Sequence, residues 1–185
     1  MVGRIGTTND VDNFLANPQT GDLAYCNANG MDYQPCVLPG DTGQRAHGDF
    51  MWHQFADLIH LGVQGIYISM FDEFNEGNQI ACTAENATME PVGSTNLYFT
   101  LDQDGVPCSS DYYLRLTGDG AKMLKGQITL TFTRPTVPML PPVYPPAPTG
   151  LTAAFGNGQV TLNWSPVTGA AGVSAPAAGA GEVVG

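Results

Sequence analysis

Apolar and polar positions along this chain fall into stretches with different periods. Pro35-Cys36-Val37-Leu38-Pro39-Gly40 is a short apolar run closed by a Pro-Gly breaker, which predicts a buried strand ending in a loop. From Asp49 the apolar residues recur at helical spacing (Phe50 or Met51, then Phe55, Leu58 and Ile59), and Gly62 stands after Leu61 as a stop signal. Gly65-Ile66-Tyr67-Ile68-Ser69-Met70-Phe71 reads as a second strand that runs straight into acidic residues. Ser110-Asp111 supplies capping chemistry for a helix predicted to reach Leu124, weakened by Gly118 and Gly120. Strand, helix, strand in this order implies a parallel βαβ unit and an α/β fold class. No internal repeat is evident.

Beyond Arg134 the pattern changes. Nine of the 14 prolines lie after that residue, and Glu182 is the one charged side chain there. Proline removes backbone donors and restricts the residue before it, so residues 135–149 read as a semi-rigid polyproline-type linker. This divides the chain into an α/β part at 1–134, the linker at 135–149 and a tail at 150–185. In the tail, Leu151 to Phe155 and Gln159 to Trp164 alternate apolar and polar residues around Gly156-Asn157-Gly158, the signature of a hairpin. Ala171 to Gly185 is rich in Ala, Gly and Val and supplies no further strands.

Charge and length narrow the function classes. Seventeen acidic against six basic residues give a formal net charge of −11, which disfavours nucleic acid and anionic membrane surfaces as partners and leaves neutral substrates such as sugars open. No stretch has the apolar length of a membrane span, and the first residues have no signal-peptide core. The 185 residues fall short of the ~250 of a complete eight-stranded α/β barrel. Cys26, Cys36, Cys82 and Cys108 lack CxxC spacing, and read as small buried hydrophobes or as one or two disulfides of undetermined pairing.

The segment that carries chemistry is Phe71-Asp72-Glu73-Phe74-Asn75-Glu76-Gly77-Asn78-Gln79. A buried strand here delivers three carboxylates and three amides to its C-terminal end, where parallel α/β folds place reacting groups. Hydrolysis of a glycosidic bond needs one carboxylic acid for the leaving oxygen and a second carboxylate as nucleophile or base. Glu73 and Glu76, three apart, can face one pocket if the chain turns just after the strand. Asp72 and Asn78 stand beside them as substrate contacts. On spacing alone, a solvated acidic loop with Asn75-Glu76-Gly77-Asn78 as turn chemistry remains the default.

The stretch Gly48-Asp49-Phe50-Met51-Trp52-His53-Gln54-Phe55 and the segment Gly65 to Ile80 together resemble glycoside hydrolase family 71 and family 99-like proteins. Asn27 to Pro35 and Ser110 to Gly118 look like flanking parts of the same sequences, so the resemblance spans roughly residues 3 to 135. It implies a (β/α)8 barrel, of which this chain has room for a C-terminal half, a secreted location and a polysaccharide partner of the α-mannoside or α-glucan class. It further implies that Glu73 acts as the base on the substrate 2-hydroxyl, making an anhydrosugar, and that Glu76 acts as general acid and then as base for water. Asp72 stands where family 99 usually has Asn after an aromatic residue. No cofactor is expected. The tail resembles the opening two strands of a fibronectin type III module, such as bacterial members often carry downstream. A half-barrel leaves strand edges and an apolar face open, so a homodimer is a further expectation, as is a non-catalytic carbohydrate-binding or structural fragment.

Other features read as structure. Trp52 and the pair Tyr112 and Tyr113 are assigned to packing. His53 and His60 lie seven apart on one helical face with no third ligand near in sequence, so no metal site is expected. Asp102-Gln103-Asp104-Gly105 is assigned to a turn.

Overall fold

The computed structural model describes residues 6–41, 43–74, 76–96, 98–139, 147–156 and 158–167. The chain divides into two compact units, residues 1–140 and 141–185.

The first unit opens with helices. Thr7 begins α1 (Thr8–Phe14) through a capping box: its hydroxyl accepts from the Asp10 amide, and the Asp10 carboxylate accepts from the Thr7 amide at 2.9 Å. A π-helical turn, Leu15–Gln19, carries the chain into α2 (Thr20–Ala28), with Pro18 inside the turn. The residues before Pro35, for which the apolar pattern predicts no element, are therefore helical from Thr8 to Ala28.

Next comes the βαβ unit. Strand β1 (Cys36–Val37) and strand β2 (Tyr67–Ile68) pair in parallel, Cys36 opposite Tyr67 and Val37 opposite Ile68, with α3 (Asp49–Leu61) as the crossover. Gly48 and Gly62 bracket α3 with φ of +93° and +95°, left-handed values that only glycine adopts cheaply, which is why the helix starts and stops there. α3 buries Phe50, Met51, Trp52, Phe55 and Leu58. The side chain of Gln54, also buried, docks α3 on the end of β1: its amide donates to the Leu38 carbonyl at 3.0 Å while its oxygen accepts from the Leu38 amide at 3.2 Å. The predicted strand at 65–71 shrinks to two residues because Met70 and Phe71 pair instead with Asn78, Ile80 and Ala81. Among the described residues no third strand joins β1 and β2, so the sheet is one parallel pair.

Helix α4 (Tyr112–Leu124) lies against α3 and buries Tyr112, Tyr113, Leu116 and Met123 in the same core as Met51, Trp52 and Phe55. Asp111 precedes it, but its carboxylate does not cap the helix. It accepts instead from Ser109 Oγ at 2.6 Å and Arg115 Nε at 3.2 Å. Residues 136–138 pack along α4: Thr136 donates to Asp119 at 2.7 Å, and Arg115 donates to the Val137 and Pro138 carbonyls at 3.0 and 3.2 Å. Trp52 is buried, its indole N–H donating to the Thr131 carbonyl at 3.0 Å.

All four cysteines are free thiols. Burial, with Asp104 adding to it, pushes the Cys108 thiol up to about 11, so it behaves as a small apolar side chain.

The second unit contains an antiparallel hairpin, β3 (Thr152–Gly156) and β4 (Gln159–Asn163), paired from Thr152 opposite Asn163 to Gly156 opposite Gln159. Every described residue of both strands is exposed.

Candidate functional site

The acidic segment leaves the C-terminal end of β2, just past a cis peptide between Ser69 and Met70. Its two arms are tied at the base. The Met70 amide donates to the Asn78 carbonyl at 3.2 Å, the Ile80 amide to the Met70 carbonyl at 3.1 Å, and the Ala81 amide to the Phe71 carbonyl at 2.9 Å. Between these ties the chain folds back on itself. The Glu76 amide donates to the Glu73 carbonyl at 3.4 Å, and the Asn78 amide reaches the same carbonyl at 3.2 Å, while Gly77 turns the backbone at φ +72°. A turn closed between residues i and i+3 holds its end Cα atoms within roughly 7 Å, so Glu73 and Glu76 stand close together at the strand end.

Glu73 is half-buried, whereas Asp72 and Glu76 are exposed. Among the described residues neither glutamate has an ion-pair partner, which leaves both carboxylates free toward solvent. Phe71 and Phe74 flank them and are more than half exposed, as is Tyr67 on β2. Exposed rings beside carboxylates offer flat apolar faces on which the C–H face of a sugar can lie. Asn78 sits differently: it is buried at the foot of the loop, with Oδ1 lacking a hydrogen-bond partner.

Arg45 holds this loop in place, and sequence reasoning did not single it out. The residue is buried, with its guanidinium under the loop. Nη2 donates to the Gly77 carbonyl and to Gln79, at 3.2 Å to the side-chain oxygen, while Nε donates to the Gly40 carbonyl at 3.0 Å. The guanidinium also lies 4.6 Å from the centre of the Tyr113 ring. Burial draws the Arg45 pKa down from the ordinary arginine value, opposed chiefly by Tyr113, and an arginine remains charged under such pressure. One cation thus fastens the loop after β1, the acidic loop and α4 to one another. A signal was present: Arg45 is one of six basic residues in a strongly acidic chain and lies in a glycine-flanked stretch, Gly43 to Gly48.

Two cavities are formed elsewhere and involve no residue of the acidic loop. One lies between Val11, Gln54 and Asp57, the other between Arg115, Asp119 and Thr136. Asp102 to Gly105 forms a turn closed by the Gly105 amide donating to the Asp102 carbonyl at 2.8 Å.

No protein-family profile matches the chain, and no curated protein matches it significantly. Among solved structures, the chain is similar to a GH99 endo-alpha-mannosidase from Bacteriodes thetaiotaomicron, determined in complex with bis-tris-propane. The two share 21% sequence identity with a TM-score of 0.47 over 60% of this chain. The chain spans 37% of the length of that enzyme.

Proposed function

We propose that the first unit is a glycoside hydrolase-type module that acts on a neutral polysaccharide of the α-mannoside or α-glucan class through Glu73 and Glu76. The observation that carries this reading is the loop itself. Two glutamates without ion-pair partners among the described residues, their backbones drawn together by a hydrogen-bonded turn, leave the C-terminal end of a parallel strand between exposed aromatic rings. That is the donor set glycosidic hydrolysis requires, in the place where parallel α/β units put their chemistry. Glu73, half-buried against the fold, acts as the base, and Glu76, exposed to the leaving group, acts as the acid. Asp72, exposed beside them, completes the sugar contacts, while Asn78, buried at the foot of the loop, holds its shape through its backbone amide and carbonyl. On this reading β1, α3 and β2 correspond to part of a barrel wall, and the β3–β4 hairpin to the opening strands of a fibronectin type III-like segment. Secretion fits a polysaccharide substrate.

The test is release of reducing ends from α-mannan and α-1,3-glucan by the full chain. Removing either carboxyl as a glutamine should cost about 10²- to 10⁴-fold, the usual contribution of a positioned acid or base. Equal activity, or equal inertness, of the parent chain, Glu73→Gln and Glu76→Gln on both polymers would sink the catalytic reading.

A second reading rests on the exposure of Tyr67, Phe71 and Phe74, which suits a non-catalytic carbohydrate-binding face. It predicts polysaccharide binding that survives the double glutamine variant and fails in Phe71→Ala with Phe74→Ala.

A further inference from the structure

Away from the acidic loop, three metal-ligating side chains from two helices converge. His53 and Asp57 stand one turn apart on α3, and Asp12 reaches them from α1. His53 Nε2 lies 2.6 Å from Asp12 Oδ1 and 3.3 Å from Asp57 Oδ2, and the three ligand atoms all lie within 4.8 Å of one another. Asp57, four residues from His53, was there in the sequence but was not singled out, and Asp12 lies 41 residues away on a helix the apolar pattern did not reveal.

This arrangement leaves one oxygen over. An imidazole Nε2 carries at most one proton, and the geometry aims it at Asp12. Asp57 Oδ2 is then a carboxylate oxygen shut off from solvent without a hydrogen bond, although Asp57 is only 8% exposed. Burial, with Asp12 adding repulsion and His53 opposing it, holds the Asp57 carboxyl above the ordinary aspartate range. A buried, unpaired oxygen of this kind is costly, and more so if charged.

We infer that Asp12 Oδ1, His53 Nε2 and Asp57 Oδ2 form a binding site for a divalent transition-metal ion, which clamps α1 onto α3. One cation in place of the Nε2 proton satisfies all three acceptors at once, with the imidazole proton carried on Nδ1 or released to solvent. One imidazole with two carboxylates suits zinc, cobalt or manganese better than a hard ion that takes oxygen alone. Zinc–nitrogen and zinc–oxygen bonds of about 2.0–2.2 Å need ligand atoms roughly 3–3.5 Å apart; the His53–Asp57 spacing of 3.3 Å already meets this, and the short Asp12–His53 contact has to open. Asp12 and His53 are solvent-accessible, which gives the ion a way in. A cavity of about 10 Å³ lined by Val11, Gln54 and Asp57 has room for one water beside the site.

The experiment is titration of the chelator-treated full chain with Co²⁺ and Zn²⁺ under reducing conditions. Visible absorption of bound Co²⁺ and the thermal midpoint are the readouts. One ion per chain should bind, raise the midpoint, and bind at least ~100-fold more weakly in Asp12→Asn and in Asp57→Asn. Asp12 is surface-exposed, so its variant keeps the test valid should Asp57→Asn disturb folding. Binding of unchanged affinity in both variants would assign the ion to the free thiols and overturn the proposal. So would the absence of saturable binding at millimolar ion, or an equal rise of the midpoint with Mg²⁺.

Discussion

Arg45 donates to three acceptors that have no other hydrogen-bond donor among the described residues. The carbonyls of Gly40 and Gly77 and the side-chain oxygen of Gln79 converge on one buried guanidinium. Replacing it with methionine, which fills similar space without donors, leaves those acceptors unpaired. Arg45→Met should therefore lower stability by about 2–4 kcal/mol, read from urea unfolding. Arg45→Lys should recover only part of that, because an ammonium lacks the planar fork that reaches two segments together. Unfolding of Arg45→Met at the parent's midpoint would show that the guanidinium is not what holds the loop. Of the candidate side chains, Glu73 and Glu76 were legible because strand-end carboxylates three apart are themselves a chemical pattern. Arg45 was not, since its partners include backbone carbonyls that leave no trace in the order of side chains.

At the scale of elements, helix α4 carries two glycines that look alike in sequence and are not alike in space. A Cβ on Gly120 would sit 2.7 Å from the Phe55 ring, so α3 and α4 approach as closely as they do because nothing is there. Around Gly118 the space is open. Gly120→Ala should destabilise by about 1–3 kcal/mol through overpacking, and Gly118→Ala should stabilise by about 0.5–1 kcal/mol through helix propensity. Denaturant midpoints moving in the same direction for both would refute the packing account. Helix α3 was readable to the residue, because apolar spacing and a left-handed glycine stop both report on local structure. The opening helices were not. Pro18 and a run of polar residues argue against a helix, and the π turn that accommodates the proline breaks the 3.6-residue period on which such a reading depends. The Thr7-to-Asp10 capping box was the one local clue. The second strand was predicted too long, because the pairing of Met70 and Phe71 with Asn78 to Ala81 depends on a turn set by tertiary contacts.

At the scale of the molecule, the clusters of buried apolar side chains among the described residues draw on none beyond Met123, and the partly buried side chains packed on them extend to Ile128. The hairpin of the second unit leaves Leu151, Phe155, Leu162 and Trp164 exposed, so it adds no apolar burial of its own. A chain ending at Leu140 should keep the thermal midpoint of the first unit within ~2 °C, since a loss of 1 kcal/mol would move a domain of this size by more than that. A larger fall would show that the second unit contributes to the core. Charge and proline change abruptly along the chain, whereas the number of strands in the sheet follows from pairing between distant segments.

The grip of Arg45 bears on how such a loop can change over time. It takes hold of the backbone at Gly77 and of Gln79, and among the described residues it donates no hydrogen bond to the side chains at 72, 73, 74 or 76. Shape and chemistry are therefore encoded at separate positions. Substitutions among those four can rewrite what the loop recognises while its frame stays intact, so new specificity is reachable by single steps that leave the fold alone.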